Sequence, residues 1–191
     1  MPALPGLASL LDDSYEVTTG APLARAPVAG YWQAVTKISD YYLSFITMVL
    51  GVYYMPKLSE LQNRLELRQE IIKGYKYILP AVSLIALLIW LFRDLIVHVL
   101  FTPGFMPMKP LFSFQLLGDV FKIASWLLAI LMIAKAMTKT YIITEFIFAT
   151  TYVVFCYYFI DHYGVIGATY GFCLNYFLYL VVMSIIMRKT I

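Results

Sequence analysis

Five polar residues near the start of the long apolar part of the chain, Gln33, Lys37, Asp40, Ser44 and Thr47, recur with Gly51 at intervals of four and three. That spacing places them on one face of a helix, with Tyr42, Phe45, Val49 and Val52 opposite. A second stretch repeats the pattern with Gln115, Asp119, Lys122 and Trp126, again setting an acid and a base three residues apart. Glu145 and Asn175 stand alone in two further apolar stretches. Hydrocarbon offers polar groups no partners, so such stripes must face protein or water.

Two readings of the pairs Lys37/Asp40 and Asp119/Lys122 stay open. In one, each acid and base neutralise each other locally and make their helix cheaper to insert. In the other, Gln33, Lys37, Asp40, Ser44, Gln115, Asp119 and Lys122 line one hydrophilic cavity, with Arg93 and Asp94 on its rim, because ionisable residues inside a membrane normally mark a functional path. His98 reads as a packed or snorkelling side chain and His162 as a solvated one. Cys156 and Cys173 lie in apolar stretches without metal-type spacing and read as small buried residues.

The elements that must position these side chains follow from composition. Of 191 residues, 62% are hydrophobic and 13% charged, where a soluble domain carries roughly 45–50% and about 25%. Mean hydropathy is +0.79. The chain is therefore expected to be an all-α integral membrane protein. A net charge of +3 without a Lys/Arg cluster gives no reason to expect nucleic acid. Five apolar segments, at about 31–56, 76–101, 111–134, 141–160 and 163–187, are each long enough to span a bilayer at about 20 residues per crossing. Gly167 and Gly171 form a GxxxG in the last, consistent with close helix packing.

Residues 1–30 differ from the rest. They hold four of the nine prolines and the acidic Asp12, Asp13 and Glu16, with no basic region ahead of Leu4–Leu11. They read as a poorly ordered leader, not as a secretory signal. Residues 57–74 read as an amphipathic helix on the membrane surface, with Leu58, Leu61, Leu65 and Ile72 on its apolar face.

If five helices alternate, Lys57, Arg64, Arg68, Lys73, Lys76, Lys135, Lys139, Arg188 and Lys189 fall on one side, while Arg93, Lys109, Asp161 and His162 fall on the other. The positive-inside rule makes the basic side, and with it the C-terminus, cytoplasmic. Tyrosine and tryptophan near the segment ends suit interfacial belts. No Walker A loop, GxSxG or HExxH is present, so no enzyme chemistry, cofactor or metal is expected.

The run YWQAVTKISDYYLSFITMVLGVYYMPKLSEL, then ILP, WLFRDLIVHVLF and FQLLGDVFKIASWLLAILMIAKA, resembles the C-terminal part of Wzx-type lipid-linked oligosaccharide flippases, most specifically at QAVTKISD and LGDVFK. These belong to the multidrug/oligosaccharidyl-lipid/polysaccharide exporters, and the resemblance implies two six-helix bundles around a central cavity. Five spans would be most of the C-terminal bundle of twelve helices, so a partial flippase is implied, completed by a missing N-terminal bundle or other polysaccharide-assembly proteins. The implied activity is transfer of an undecaprenyl-pyrophosphate-linked oligosaccharide, the lipid-linked unit of enterobacterial common antigen or O-antigen, across the bacterial inner membrane. Lys37 and Lys122 would contact the anion, and Asp40 and Asp119 would neutralise them or take up a coupling ion. The alternatives are a non-transporting subunit or assembly scaffold and an integral-membrane glycan enzyme using Arg93 and His98; the short outer connections TPGFMPMKP and DHYG weigh against the enzyme.

Overall fold

A computed structural model describes residues 25–188, with side chains from Gly30 onward. Helix α1 (Arg25–Val49) passes through a π-helical turn (Leu50–Tyr54) into the short α2 (Met55–Glu60). Helix α3 (Arg64–Leu91) is followed by α4 (Arg93–Leu100) and a 3₁₀ segment (Pro103–Met108). Helices α5 (Leu111–Ala134), α6 (Thr138–Tyr163) and α7 (Val165–Met187) complete the bundle, and the described residues contain no strand. The protein is all-α, as its composition requires.

The long helices alternate in direction. At one end Tyr31 packs edge-on against Phe105, with ring centroids 5.4 Å apart, and Lys109 pairs with Asp94 at 2.9 Å, joining the connection before α5 to α4. The Lys109 ammonium holds the Asp94 carboxyl below its usual range. At the other end the Lys135 ammonium donates to the Leu61 carbonyl, and Tyr75 donates to the Ala124 carbonyl at 2.6 Å.

Helices α3, α5, α6 and α7 are long and apolar enough to cross a membrane. The chain is a multi-pass membrane protein. The fifth long helix, α1, falls outside those four; it is the one that carries Lys37 and Asp40 within a polar stripe. Helix α5 is the centre of the bundle: two-thirds of its spanning stretch is buried, against 17% for α3. Phe112, Ile123, Leu127, Leu131 and Met132 of α5 are fully enclosed by Val35 and Leu43 of α1, Leu67, Ile71 and Val82 of α3, and Met183 and Met187 of α7. The outward faces of α3 and α6 carry Leu84, Leu87, Leu91, Phe146 and Val154, as contact with lipid tails demands.

The structure departs from the sequence reading in the connection after α1. The single amphipathic helix expected at 57–74 is divided at residues 61–63, where Leu61 is extended and the Asn63 side chain accepts a hydrogen bond from the Leu65 amide at 3.1 Å to start α3. The break resets the helical phase. Leu58 remains buried, but Leu65 and Ile72 are exposed, and Leu67 and Ile71 take their places in the core. The second half then runs without interruption into the spanning part of α3. Of the leader expected at 1–30, residues 1–24 lie outside the described residues and 25–30 already belong to α1. Trp32 and Tyr54, assigned to interfacial belts, are buried in the bundle, whereas Tyr53, Tyr77, Tyr157 and Tyr163 are exposed.

Helices α6 and α7 form a hairpin that turns at Gly164, whose φ of 63° and ψ of −150° fall in a region essentially restricted to glycine. One turn later Gly167 and Gly171 face the α6 backbone at Phe159–Ile160 and at Phe155–Cys156. The GxxxG is used inside the chain, as small residues that let two backbones meet. Cys156 and Cys173 are buried free thiols.

Candidate functional site

Between α1 and α5 lies an open groove of about 310 Å³. From α1 it is lined by Lys37, Asp40, Leu43, Ser44 and Thr47, and from α5 by Lys122 and Trp126. The helical spacing in each sequence stripe is what aims these groups the same way; the side-by-side packing of α1 and α5, which run in the same direction, is what sets them opposite each other. Lys122 and Trp126 also border a smaller recess of about 60 Å³, walled by Tyr152, Tyr176 and Tyr179 with Glu145 and Asn175. The two recesses therefore lie side by side, with Lys122 and Trp126 lining both.

Lys122 stands at the junction. Its ammonium lies 5.7 Å from the ring centroids of both Phe172 and Tyr176, within the range where a ring face attracts a cation. In the small recess Tyr179 donates to Glu145 at 2.5 Å, and Thr151 donates to the Asn175 carbonyl oxygen at 2.8 Å. The groove thus offers two ammonium groups, one carboxylate, hydroxyls and aromatic faces. That set can hold a phosphate-type anion and polar substituents beside it.

Neither Lys37 with Asp40 nor Asp119 with Lys122 closes into a salt bridge. Asp119 is fully buried and outside the groove; it accepts from the Tyr42 hydroxyl at 2.7 Å and from the Gln115 amide at 3.4 Å. Its role in the fold is to tie α1 to α5 directly behind the groove. Gln115 is buried beside it, and Gln33 is exposed on α1 away from the groove lining. The proposed rim residues are elsewhere too: Arg93 lies over the Trp90 ring at 4.8 Å and Asp94 pairs with Lys109. The structure therefore brings Lys37, Asp40, Ser44 and Lys122 together and leaves Gln33, Gln115, Asp119, Arg93 and Asp94 outside.

The Tyr42–Asp119 bond makes a measurable prediction. In a double-mutant cycle of Tyr42→Phe and Asp119→Ala, unfolding in mixed micelles should give a coupling energy of about 1 kcal/mol, the usual size for a hydrogen bond between membrane helices. Additive effects would show that the bond carries no stability.

Sequence reasoning missed Tyr42, which spacing puts on the face opposite the stripe. It found Glu145 and Asn175 only as isolated polar residues. Their intramembrane position was the available signal, but nothing local connected them to Lys122.

Fold and site together define the class: an all-α, multi-pass integral membrane protein with charged side chains gathered in an open groove between two of its helices. Its sequence is 38% identical over 150 residues to the lipid III flippase of Escherichia coli K12, and equally to that of Shigella flexneri. The matched region is 78% of this chain and 36% of each relative, so the chain spans about a third of the length of the curated relatives it matches. The chain is similar to a portion of the lipid III flippases. No family model matches it, and no solved structure does.

Proposed function

We propose that the chain contributes the C-terminal part of the path by which an undecaprenyl-pyrophosphate-linked oligosaccharide, lipid III or an O-antigen unit, crosses the bacterial inner membrane to the periplasmic leaflet. The observation that carries the reading is the groove between α1 and α5 with Lys37, Asp40 and Ser44 facing Lys122. Both ammonium groups would neutralise the pyrophosphate as it leaves water. Asp40 and Ser44 would bond to sugar hydroxyls, and the prenyl tail would stay in lipid along the open side. The chain acts here as a transporter and not as a catalyst. A second helical bundle facing α1 would close the path, and rocking of one bundle against the other would expose it alternately to each side. The cationic end, with Arg64, Arg68, Lys135, Lys139 and Arg188, would be cytoplasmic, and the C-terminus with it.

The test is a leaflet-sidedness assay in proteoliposomes loaded with the lipid-linked glycan, with and without a complementary N-terminal bundle. The expected result is translocation by the assembled pair and at least a tenfold loss in the triple variant Lys37→Ala, Asp40→Ala, Lys122→Ala. Full translocation by the triple variant would sink the groove assignment. A scaffold role is the second reading, favoured by the exposure of Gln33, Lys37 and Ser44 on α1, where a partner could bond to them. It predicts assembly with the partner but no dependence of transport on Lys122.

A further inference from the structure

A second groove, of about 490 Å³, opens at the cationic end of the bundle between α3 and α7. Arg68 and Arg188 line it from helices far apart in sequence, and its apolar lining is Ile71, Ile72, Leu128 and Met187. We infer that this groove binds one phospholipid with an anionic headgroup, its phosphate held by Arg68 and Arg188 and an acyl chain lying along the apolar lining. The site is separate from the glycan path and does not depend on it.

Charge and position support that occupant. Glu70 is engaged by Lys57 at 2.6 Å and by Lys73 at 3.6 Å, whereas Arg68 and Arg188 form no salt bridge among the described residues. No carboxylate among the described residues therefore competes for either guanidinium at the groove. The hydroxyls in the groove are already committed, Tyr75 to the Ala124 carbonyl and Ser184 to the Leu180 carbonyl, which leaves the two guanidinium groups as the donors. Guanidinium is the side chain suited to phosphate oxygens in a two-pronged geometry.

Depth favours a lipid over a free anion. Arg188 follows the last residue of α7, and Arg68 lies in the polar first turns of α3, whereas Leu128 and Ile72 lie further toward the apolar parts of their helices. Cations at headgroup level above an apolar cleft between helices match a lipid with its phosphate at the top and its chain below. A small phosphate would leave the apolar cleft unfilled.

Native mass spectrometry of the full 191-residue chain in neutral detergent tests this, with palmitoyl-oleoyl phosphatidylglycerol added in one arm, phosphatidylcholine of the same acyl chains in another, and glycerol 3-phosphate as competitor in a third. The expected result is one retained phosphatidylglycerol per chain, at least tenfold over phosphatidylcholine, and a tenfold or greater loss in Arg68→Gln/Arg188→Gln. The double variant Arg64→Gln/Lys139→Gln removes the same charge outside the groove and should retain the lipid. Added phosphatidylglycerol should raise the unfolding temperature of the wild type and of this control, but not of the groove variant. Should the groove double variant not fold, Arg188→Gln alone is read in the same way. Equal retention of both lipids, equal loss in the control variant, or displacement by glycerol 3-phosphate would overturn the proposal.

Discussion

Replacing Gly167 with leucine should separate α6 from α7 and abolish the folded bundle. A Cβ at this position would be driven into the backbone carbonyl of Phe159 and onto the amide nitrogen of Ile160. Backbone cannot rotate aside as a side chain can. One helical turn away, a Cβ on Gly171 would meet the Cys156 nitrogen at 2.9 Å and the Phe155 carbonyl carbon at 3.0 Å, so the hairpin has no slack at either point. On the third side of α7, Gly118 of α5 faces Phe172 and the Cys173 backbone. Displacing α7 from α6 therefore strains the α5 contact as well. Overpacking a tight core costs about 1–3 kcal/mol, which is the expectation for Gly167→Ala; leucine should exceed it and leave little folded protein in a detergent-unfolding titration. Gly51 is the control, because nothing lies within 4 Å of a Cβ there, and Gly51→Ala should unfold like the wild type. A Gly167→Leu protein of unchanged stability would mean that α6 and α7 do not approach as described.

The second large effect is expected at Lys122. Lys122 and Lys37 border the same groove, but their surroundings differ. Lys37 is exposed on α1 and screened accordingly, whereas Lys122 is partly buried, lies near two aromatic rings and borders both the groove and the Glu145 recess. A charge contact strengthens as water is excluded around it. Hydrogen bonds to charged groups are worth about 1.5–3 kcal/mol, so Lys122→Ala should slow translocation by about 10- to 100-fold. Lys37→Ala should cost severalfold less, and its deficit should shrink with rising salt. Lys122→Arg, which keeps the charge, should recover much of the rate. Equal losses at the two lysines in the proteoliposome assay would show that the groove acts only through its net charge.

Much of this site is legible in the amino-acid sequence, because its signals are local. The four- and three-residue intervals that align Lys37, Asp40, Ser44 and Thr47 on one face are a property of the helix, and the structure keeps them on one groove. The cost of a charge or polar group in hydrocarbon is reason enough to single out Asp119, Glu145 and Asn175. What no interval supplies is the partner. Asp119 bonds to Tyr42, 77 residues away, so a carboxylate that spacing assigns to the cavity is an interhelical tie. The break at residues 61–63 escapes the sequence for a related reason: extended backbone at Leu61 and at the Asn63 cap changes which leucines face inward, although the leucine spacing itself is helical.

The sequence by itself determined an all-α multi-pass membrane chain, with two polar stripes of matched pattern and cations gathered toward one end. Hydropathy, helical period and charge count depend only on each residue and its near neighbours. Only the tertiary structure decided which helix is central, which stripe residues share a groove, and which faces of α6 and α7 meet. The reason is the solvent. In a bilayer the lipid-facing and protein-facing sides of a helix are equally apolar, so hydrophobicity does not reveal the packing face. Here close contact at Gly118, Gly167 and Gly171 and the hydrogen bond from Tyr42 to Asp119 define it.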